Sequence, residues 1–533
     1  MTVHTTDAYD YVVVGAGSAG AVLAARLSED PGTTVLLVEA GPAPEVDEVM
    51  IPAAFVGLVK TKWDWNYATT EQKQLHGRRT SWPRMKALGG CSAVNAMIYI
   101  RGNAADYDGW RDQYGAAGWG YDDVLPYFKR AEGNRRLGDT FHGTDGPLVV
   151  EDRRFTHELS SSWVESAVAA GFKRTDDFNG AEQEGAGPYQ VTCNGGQRWS
   201  TYDAYLKPAL GRDNLTVATG ALAARIEIEG SSGQSRATGL TFRQHGREHT
   251  VRARREVLLS GGAINSPQLL MLSGVGPTAH LAEHGITGKV ELAGVGQGMQ
   301  DHPYTPMLWH TKDTTDLADL NTLGNFLRWK TRKQGPLTSN VAETGAFWRS
   351  REGLPAPDLQ AHVLPTGLYG DGMVEPRTRM VTVLSTLVGT ASRGHVRLRS
   401  ADPTWHPEIE AAYYDDQTDL DAMVAGCRRI AEVTQQGAIA DLIDRPFELT
   451  ATPSDDDLVE HVRRYTQTTF HPTSTCAMGT GDDAVVDPEL RVRGVEGLRV
   501  VDASVMPAVP RGNTNAPTIM VAEKAADLIR SAQ

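Results

Sequence analysis

The stretch Tyr9–Gly41, YDYVVVGAGSAGAVLAARLSEDPGTTVLLVEAG, decides the fold. Tyr9–Val14 is a short apolar run rich in β-branched residues, which predicts a buried strand. The segment AVLAARLSED (21–30) indicates a helix, and TTVLLVEAG (33–41) predicts a second buried strand. These segments make one βαβ unit, the building block of a doubly wound parallel sheet, so we predict an α/β fold.

The turn after the first strand carries glycines at G-x-G-x-x-G spacing, Gly15, Gly17 and Gly20. Because they lack a Cβ, they permit a tight bend and a close approach of the backbone to a pyrophosphate, whose charge then meets the helix N-terminus. Glu39 falls 19 residues after Gly20, where a carboxylate can accept both ribose hydroxyls of an adenosine. We predict that these residues and Ser18 bind a dinucleotide, FAD or NAD, since both present an ADP half.

Composition excludes several classes of protein. The chain has 533 residues and a net charge of −14, from 52 Lys and Arg against 66 Asp and Glu. An acidic chain argues against a nucleic-acid partner, which needs a cationic face. The 4 cysteines include no Cys-x-x-Cys pair, so we predict neither a disulfide framework nor a metal site.

The sequence also predicts a location. No apolar run approaches the roughly 18 residues that a transmembrane helix needs, and the first strand leaves no room for a signal peptide. Because the cysteine usage suits a reducing compartment, we predict a cytoplasmic protein without a membrane span. We expect a monomer or a homodimer.

A second glycine-rich stretch, RMKALGGCSAVN (84–95), has neither helix nor strand periodicity. Gly89 and Gly90 would let the backbone lie flat against a ring or a phosphate, and Ser92 and Asn95 offer hydrogen-bond donors. A plain surface loop is the alternative interpretation.

A third stretch, GAINSPQLLMLSGVG (262–276), follows a predicted strand at Glu256–Leu259. Proline is well suited to the first turn of a helix, so we predict a helix that starts near Pro267.

At these three stretches the sequence resembles the glucose–methanol–choline (GMC) family of flavoprotein oxidoreductases. Residues 262–276 match that family's second signature throughout, and residues 84–95 match its first except at Cys91, where the family usually has Gly, Ser or Thr. The resemblance continues at 63–65 (WDW) and 300–303 (QDHP) and spans nearly the whole chain. It implies FAD bound in a doubly wound domain, beside a substrate domain built on an antiparallel sheet.

The last seventy residues hold the candidate catalytic groups. By resemblance, His471 in the segment FHPTSTCAMG (470–479) and Asn513 are the catalytic pair, and Asp502, Ala503 and Thr514 lie at the cofactor. Proline at 472 restricts His471 to an extended backbone. A helix is predicted from about Thr518 to Ser531, and Asn515 is expected to be its N-cap.

Alcohol oxidation explains why these residue types are needed. A hydride leaves an alcohol carbon readily only when the hydroxyl is losing its proton, so a base is required. We expect His471 to titrate near neutrality and take this proton, while Asn513 holds the oxygen. The net reaction would convert a primary alcohol to an aldehyde and reduce the flavin. A lyase that cleaves cyanohydrins without redox turnover, also found in the family, is an alternative.

Two departures from family members narrow the substrate and the cofactor linkage. Some members attach FAD covalently through a histidine at the position of Val94, so we predict non-covalent FAD. In choline-oxidising members an acidic residue follows Asp-His-Pro, but here Tyr304 follows, so choline becomes an alternative to an aromatic or amphipathic alcohol. Phe470 and Tyr304 are candidate pocket residues. The electron acceptor, O₂ or another molecule, is left open.

The motif positions predict two domains. Residues 1–155, 212–302 and 465–533 would form the FAD domain, and 156–211 with 303–464 the substrate domain. Strands predicted at Met380–Val388 and His395–Leu398 support a sheet in the latter, whereas Arg135–Gly146 and Asp371–Arg377 read as loops. Helical spacing at Leu317–Trp329 indicates either a lid over the pocket or a packed surface helix.

Overall fold

The computed structural model describes residues 8–230, 234–369 and 378–532. The predicted loop Asp371–Arg377 lies outside these residues, and the predicted loop Arg135–Gly146 contains neither helix nor strand. Most of the described strands belong to two large sheets, one of eight strands and one of seven.

The eight-stranded sheet is built around Ala8–Val14. This strand pairs in parallel with Val35–Val38 and with the end of Arg247–Leu259, and the helix Gly20–Leu27 completes the predicted βαβ unit. The sheet's strands are Ala8–Val14, Val35–Val38, Leu215–Ala218, Ala221–Glu229, Ser235–Gln244, Arg247–Leu259, Val495–Glu496 and Leu498–Val500.

The strand predicted at Glu256–Leu259 is longer than expected, because it starts at Arg247. Its first part pairs antiparallel with Ser235–Gln244 at the sheet edge, where polar residues are exposed. Apolar periodicity therefore detects only the buried end of the strand.

The seven-stranded sheet is antiparallel throughout its described pairings. The predicted strand Met380–Val388 is observed at Met380–Leu387, and all of its residues are buried. The helix Gln417–Thr434 packs against it. The sheet's strands are Gly185–Pro188, Pro303–Thr311, Thr344–Trp348, Leu359–Leu364, Met380–Leu387, Ile443–Pro446 and Gln467–Thr468.

The strand predicted at His395–Leu398 is observed at Gly394–Arg397, but it does not join the seven-stranded sheet. The chain leaves that sheet after Leu387, and the predicted strand pairs instead with two short strands in a separate sheet. The smaller sheets are formed by Gln297–Met299, Gly394–Arg397 and Glu408–Glu410, by Glu132–Asn134, Leu148–Asp152 and Gln190–Val191, by Tyr67–Ala68 and Ser81–Trp82, and by Val275–Gly276 and Val290–Glu291.

The helix predicted to start near Pro267 starts at Gly262, five residues earlier, so that prediction was wrong. Proline inside a helix leaves the carbonyl four residues before it without its N–H donor. Here the Thr475 hydroxyl donates to the Ala263 carbonyl at 2.6 Å, which replaces that bond.

The remaining helices connect and cover the sheets. The α-helices are Gly20–Leu27, Asp47–Met50, Ala104–Tyr114, Tyr121–Ala131, Glu158–Ala169, Lys207–Ala209, Gly262–Leu272, Thr278–Glu283, Leu323–Arg332, Gln417–Thr434, Gly437–Leu442, Asp455–Tyr465 and Asn515–Ser531. A π-helix covers Tyr202–Leu206, and 3₁₀ helices cover Pro52–Leu58, Lys73–Leu75, Gly90–Ala93, Ala318–Leu320, Pro336–Thr338 and Ala503–Val505.

The helix Asn515–Ser531 packs against Gly20–Leu27 and Tyr121–Ala131. Glu523, on this helix, is fully buried and forms ion pairs with Arg26 and Arg130, both at 2.8 Å. The Tyr205 hydroxyl also donates to it at 2.8 Å. A buried carboxylate needs such partners, and these tie the C-terminal helix to the N-terminal βαβ unit.

The strands of the eight-stranded sheet all fall within 1–155, 212–302 and 465–533. The strands of the seven-stranded sheet fall within 156–211 and 303–464, apart from Gln467–Thr468. The domain boundaries themselves stay a prediction.

Candidate active site

A cavity between the two large sheets brings together most of the predicted site residues. It is lined by His471 and Asn513, by Tyr304 and Phe470, and by nine of the predicted cofactor residues, namely Gly15, Gly17, Ser18, Glu39, Gly90, Asn95, Asp502, Ala503 and Thr514. Gly20, Gly89 and Ser92 lie outside this lining. The glycine-rich turn and the catalytic candidates thus share one space.

Gly20, outside the lining, and Gly90, inside it, explain how two segments of backbone come so close to each other. A Cβ on Gly20 would lie 1.8 Å from the Gly15 carbonyl oxygen, and one on Gly90 would lie 2.6 Å from Cα of Gly17. Gly90 also has a φ of +49°. The turn and the second glycine stretch therefore pack backbone on backbone, which leaves a flat cradle that fits a phosphate or a ring.

Ser92 stabilises the second glycine-rich stretch, residues 84–95, from a position outside the cavity lining. Its hydroxyl donates to the Gly89 carbonyl at 2.6 Å and accepts from the Thr201 amide at 3.0 Å. Ser92 and Gly89 thus shape the loop, while Gly90 and Asn95 face the cavity.

Glu39 lines the cavity and is buried. Its two carboxylate oxygens accept from the backbone amides of Ala16, at 2.9 Å, and Gly41, at 2.8 Å. Burial raises the pKa of Glu39 to about 7, against the opposing effect of those amides. Each oxygen keeps a free lone pair, so the predicted contact with ribose hydroxyls is chemically open.

Asp502 braces the turn that begins the helix Gly262–Leu272. One carboxylate oxygen accepts from the Gly262 amide at 2.8 Å and from the Ser266 hydroxyl at 2.6 Å. The other accepts from the amide and hydroxyl of Ser504, at 2.8 and 2.5 Å. These four bonds stabilise a carboxylate whose pKa burial raises.

The expectation that Asn515 caps the last helix was wrong. The helix begins at Asn515 itself, with Thr514 at the N-cap position and no side-chain cap bond. The Asn515 side-chain oxygen instead accepts from the Ser18 hydroxyl at 2.7 Å. Asn515 therefore joins the glycine-rich turn Gly15–Gly20, called the cofactor turn below, to the C-terminal helix.

His471 lies in a chain of hydrogen-bonding groups. Its Nε2 is 3.3 Å from the Asn513 amide nitrogen, and its Nδ1 is 3.0 Å from Nδ1 of His302. An amide nitrogen can only donate, so Nε2 of His471 accepts and its Nδ1 carries the proton that is donated to His302. This tautomer leaves the Nε2 lone pair directed toward Asn513 and the cavity.

Burial and the neighbouring His302, His362 and Arg84 hold the pKa of His471 well below its usual value. Burial likewise lowers the pKa of His302 to about 3. The expectation that His471 titrates near neutrality is therefore wrong. At neutral pH the ring is uncharged and can accept a proton.

The backbone of His471 is anchored by Asp301. One carboxylate oxygen accepts from the His471 amide at 2.7 Å, and the other accepts from the hydroxyls of Thr468, at 2.6 Å, and Tyr413, at 2.5 Å. Phe470, the preceding residue, has a φ of +66°. Such strain persists only where surrounding bonds enforce it, which is common at functional sites.

Asn513 is oriented by residues that the sequence reasoning missed. The Gln360 side-chain nitrogen is 3.4 Å from the Asn513 side-chain oxygen and 3.1 Å from the Tyr189 hydroxyl. The Tyr189 hydroxyl donates to the Ala361 carbonyl at 2.6 Å. This arrangement directs the amide nitrogen of Asn513 toward His471.

His362 was also missed. Its Nδ1 is 3.1 Å from the Thr386 hydroxyl, while its buried Nε2 has no hydrogen-bond partner among the described residues. Burial lowers its pKa to about 3. A signal was available, because Gln360 and His362 are the two polar residues of the strand LQAHVL and, at i and i+2, share one face.

Arg84 brings a cation to the cavity wall, which the sequence did not reveal. Its Nη1 is 3.7 Å from the sulfur of Cys91, and its Nε and Nη2 have no partner among the described residues. Cys91, the departure from the family signature, lines the cavity as well.

The part of the lining around Tyr304 and Phe470 is apolar. The carboxylates in the described lining are Glu39 and Asp502, whose oxygens already accept the bonds given above. The apolar side chains here are Phe55, Val59, Ile98, Val341, Leu364, Leu368 and Leu384.

The segment predicted at Leu317–Trp329 forms a 3₁₀ turn and the helix Leu323–Arg332. Trp329 is buried against Ile51 and Leu337, as a packed surface helix requires. None of the helix's residues belongs to the lining of the cavity.

Comparison with known proteins decides the family. Residues 9–304 and 390–522 match the models of the GMC oxidoreductase family. The chain is a GMC oxidoreductase. It is 44% identical over 532 residues to an uncharacterized GMC-type oxidoreductase of Mycobacterium tuberculosis, covering 98% of this chain and 99% of the relative.

Other relatives have named activities. The mitochondrial choline dehydrogenase of Homo sapiens is 42% identical over 542 residues, covering 99% of this chain and 90% of the relative. The crystal structure of pyridoxine 4-oxidase from Mesorbium loti is 30% identical with a TM-score of 0.89, covering 97% of this chain and 98% of that one.

GMC oxidoreductases are flavin-dependent enzymes that act on CH–OH groups, and they bind FAD. The cradle formed by Gly17 and Gly90, the buried Glu39 and the helix N-termini fit such a dinucleotide. Among the described helices, none combines the length and apolar character needed to cross a bilayer.

Proposed function

We propose that this GMC oxidoreductase oxidises a primary alcohol to its aldehyde, with His471 as the base and Asn513 holding the alcohol oxygen. The observation that carries the proposal is the 3.3 Å contact between Nε2 of His471 and the Asn513 amide nitrogen in the cavity. The Asn513 amide carries two N–H groups, of which one points to Nε2 of His471, so an acceptor and a second donor lie side by side where a hydroxyl could bind both.

His471 would take the hydroxyl proton at Nε2. Its neutral state at pH 7 supports this role, because a charged ring could not accept the proton. His302 accepts from Nδ1–H and so stabilises the charge that His471 gains. A base of this kind usually contributes about 10²–10⁴-fold to the rate.

Asn513 would donate to the alcohol oxygen as that oxygen becomes negative. Gln360 supports this by holding the Asn513 side-chain oxygen, so that the amide nitrogen, with one N–H toward His471, keeps a second N–H to donate toward the substrate. Donors aimed at developing charge favour the transition state over the bound alcohol.

Gly15, Gly17, Ser18, Glu39, Gly90, Asn95, Asp502, Ala503 and Thr514 would hold FAD, which supplies a hydride acceptor at its N5 atom. We propose that this FAD is not covalently attached, since Val94 lines the cavity and offers no nucleophile. Acid precipitation should release the yellow flavin into the supernatant. Flavin retained in the pellet would contradict non-covalent binding.

An uncharged alcohol with an apolar body is the proposed substrate class. The described lining includes an apolar part beside Tyr304, and the carboxylates of the lining already bind backbone and side-chain donors. A quaternary ammonium would therefore lack a counter-charge among these residues. Choline is the second candidate, favoured by 42% identity to a choline dehydrogenase over 99% of the chain.

Anaerobic mixing tests the proposal directly. The enzyme is mixed with linear primary alcohols, benzylic alcohols and choline, and bleaching of the flavin is followed by stopped flow. We expect the neutral alcohols to reduce the flavin, and Asn513→Ala to slow reduction at least tenfold. Reduction by choline alone would favour the second candidate, and no reduction by any alcohol would contradict the proposal.

Further aspects belong to the same proposal. We propose that residues 1–155, 212–302 and 465–533 form the FAD domain and that residues 156–211 and 303–464 form the substrate domain. The four cysteines are unpaired thiols, which supports a cytoplasmic location. Oxygen uptake after reduction would identify O₂ as the acceptor, and light scattering would distinguish a monomer from a homodimer.

A further inference from the structure

Arg198 is a buried cation that has no carboxylate at ion-pair distance among the residues the structure describes. The residue is 0% exposed. Asp203 and the Cys193 thiol are the acidic groups that act on it, yet neither forms an ion pair with it. Burial lowers the pKa of Arg198 to about 10, so the guanidinium stays charged at neutral pH. A buried charge without an ion-pair partner is costly and so invites a functional explanation.

The guanidinium binds carbonyl oxygens beneath the second glycine stretch. Its Nε donates to the Val49 carbonyl at 2.9 Å. Its Nη1 donates to the Ser92 carbonyl at 3.2 Å and to the Asn95 carbonyl at 2.6 Å. Nη2 has no partner among the described residues. Arg198 therefore pins the loop that carries Gly90, Cys91, Val94 and Asn95 into the cavity wall.

Arg198 also sets the direction of the Asn95 side chain. The Asn95 side-chain oxygen accepts from Nη1 of Arg198 at 2.9 Å and from the Met97 amide at 3.1 Å. Both bonds fix the oxygen toward the protein. Because Asn95 lines the cavity, its amide nitrogen is left as the group that can donate to a ligand.

We propose that Arg198 is a positioning residue for the flavin, which orients Asn95 and lends a buried positive charge that favours the reduced, anionic cofactor. This inference rests on the proposed function, since it requires FAD in this cavity. A charge in a water-poor interior acts more strongly and further than one on the surface. With Arg198 in place, the protein should therefore bind reduced FAD more tightly than oxidised FAD, which raises the reduction potential of the bound flavin.

Two substitutions separate the charge from the positioning. Arg198→Met keeps most of the volume and removes both charge and donors. We expect its preference for reduced over oxidised FAD to fall at least tenfold, which is a drop of about 30 mV for a two-electron couple. Arg198→Lys keeps the charge but loses the fork of donors, so we expect weaker FAD binding with less than half of that drop.

Arg154→Met is the matched control. Arg154 lies beside Gly196, two residues before Arg198, where a Cβ on that glycine would be 3.0 Å from the Arg154 side chain, but Arg154 is 41% exposed and pairs with Glu151. We expect this variant to keep the wild-type potential and FAD affinity. The potential is measured against a reference dye, and FAD affinity by fluorescence of the free flavin, so neither readout requires an alcohol.

The outcomes are distinct. If Arg198→Met does not fold, Arg198→Lys and Asn95→Ala decide, since both should weaken FAD binding while the charge is retained. Wild-type potential and affinity in Arg198→Lys and Asn95→Ala, or in Arg198→Met, would overturn the inference. Failure of the wild-type protein to bind FAD would overturn the proposed function instead.

Discussion

Two buried histidines, His471 and His142, differ in charge for reasons that lie in their neighbours. His471 faces His302, His362 and Arg84, and its pKa is held well below the usual value. His142 lies between Glu132, at 3.0 Å, and Asp177, at 3.1 Å. Burial opposes a charge on His142 as well, but the two carboxylates raise its pKa to about 9.

The difference shows that burial alone does not decide whether a histidine is charged. Desolvation disfavours the charged ring at both positions, and the surrounding charges then determine the outcome. The catalytic candidate is kept neutral, as a base must be, whereas His142 is kept charged as part of a buried network with Glu132 and Arg101. The following changes test this contrast.

The largest effect is expected from His471→Ala. Removing the base should slow anaerobic flavin reduction by at least about 100-fold, or about 3 kcal/mol of barrier, while FAD stays bound. His142→Gln is the control, since it removes a buried histidine that does not line the cavity, and this variant should reduce the flavin at close to the wild-type rate. A near-wild-type rate in His471→Ala would refute the assignment.

The second effect concerns stability and comes from His142. A group whose pKa rises on folding stabilises the fold while it is protonated, so the gain is full below pH 6.5 and is lost as the pH rises through about 9. The rise from 6.5 to about 9 corresponds to about 3 kcal/mol. The free energy of unfolding, measured by urea denaturation, should therefore fall by up to this amount as the pH rises over that range.

His142→Gln should remove this dependence and be less stable than wild type at pH 6.5. His471→Ala should keep the wild-type slope. Identical pH profiles for wild type and His142→Gln would show that the charge on His142 has no such role.

A smaller effect is expected from the residue behind the base. His302→Ala leaves Nδ1 of His471 without its acceptor, so the ring should populate the other tautomer and flavin reduction should slow by about tenfold. His302→Gln returns an acceptor oxygen and should recover part of the rate. Equal rates in wild type and His302→Ala would contradict the hydrogen-bond chain, as would no recovery in His302→Gln.

The smallest effect is a shift in pH dependence. The base works only when it is unprotonated, so the rate is lost as the pH falls through its pKa, and we expect a constant rate from pH 8 to 6. Arg84→Met removes a cation that lowers the pKa of His471, so the acid limb should move to higher pH by less than about one pH unit. Stopped-flow reduction across pH measures this, and a shift to lower pH would contradict it.

Local patterns predicted the centre of the fold well. The apolar strand Tyr9–Val14, the glycine turn and the buried VLLV run each specify their structure within a few residues, and all three are found as predicted. The start of the helix at Gly262 was missed because the bond that Pro267 removes is replaced by Thr475, more than 200 residues away in sequence.

The site residues that belong to a sequence motif could be predicted. Those brought to the site only by packing of distant segments could not. His471 and Asn513 came from the family resemblance, and the structure brings them within 3.3 Å. Gln360 and His362 lie on a strand whose neighbours are set by long-range pairing. The charge of a buried histidine depends on groups from several segments, so no local pattern could have predicted the neutral state of His471.

The contact between Ser18 and Asn515 has a consequence for synthesis on the ribosome. These residues are 497 positions apart, yet their side chains meet at 2.7 Å beside the cofactor turn. At roughly 5–20 residues per second, translation would separate their emergence by about 25–100 s. Throughout that interval the nascent N-terminal unit must wait with its helix Gly20–Leu27 uncovered, so its cofactor pocket can be completed only late in translation.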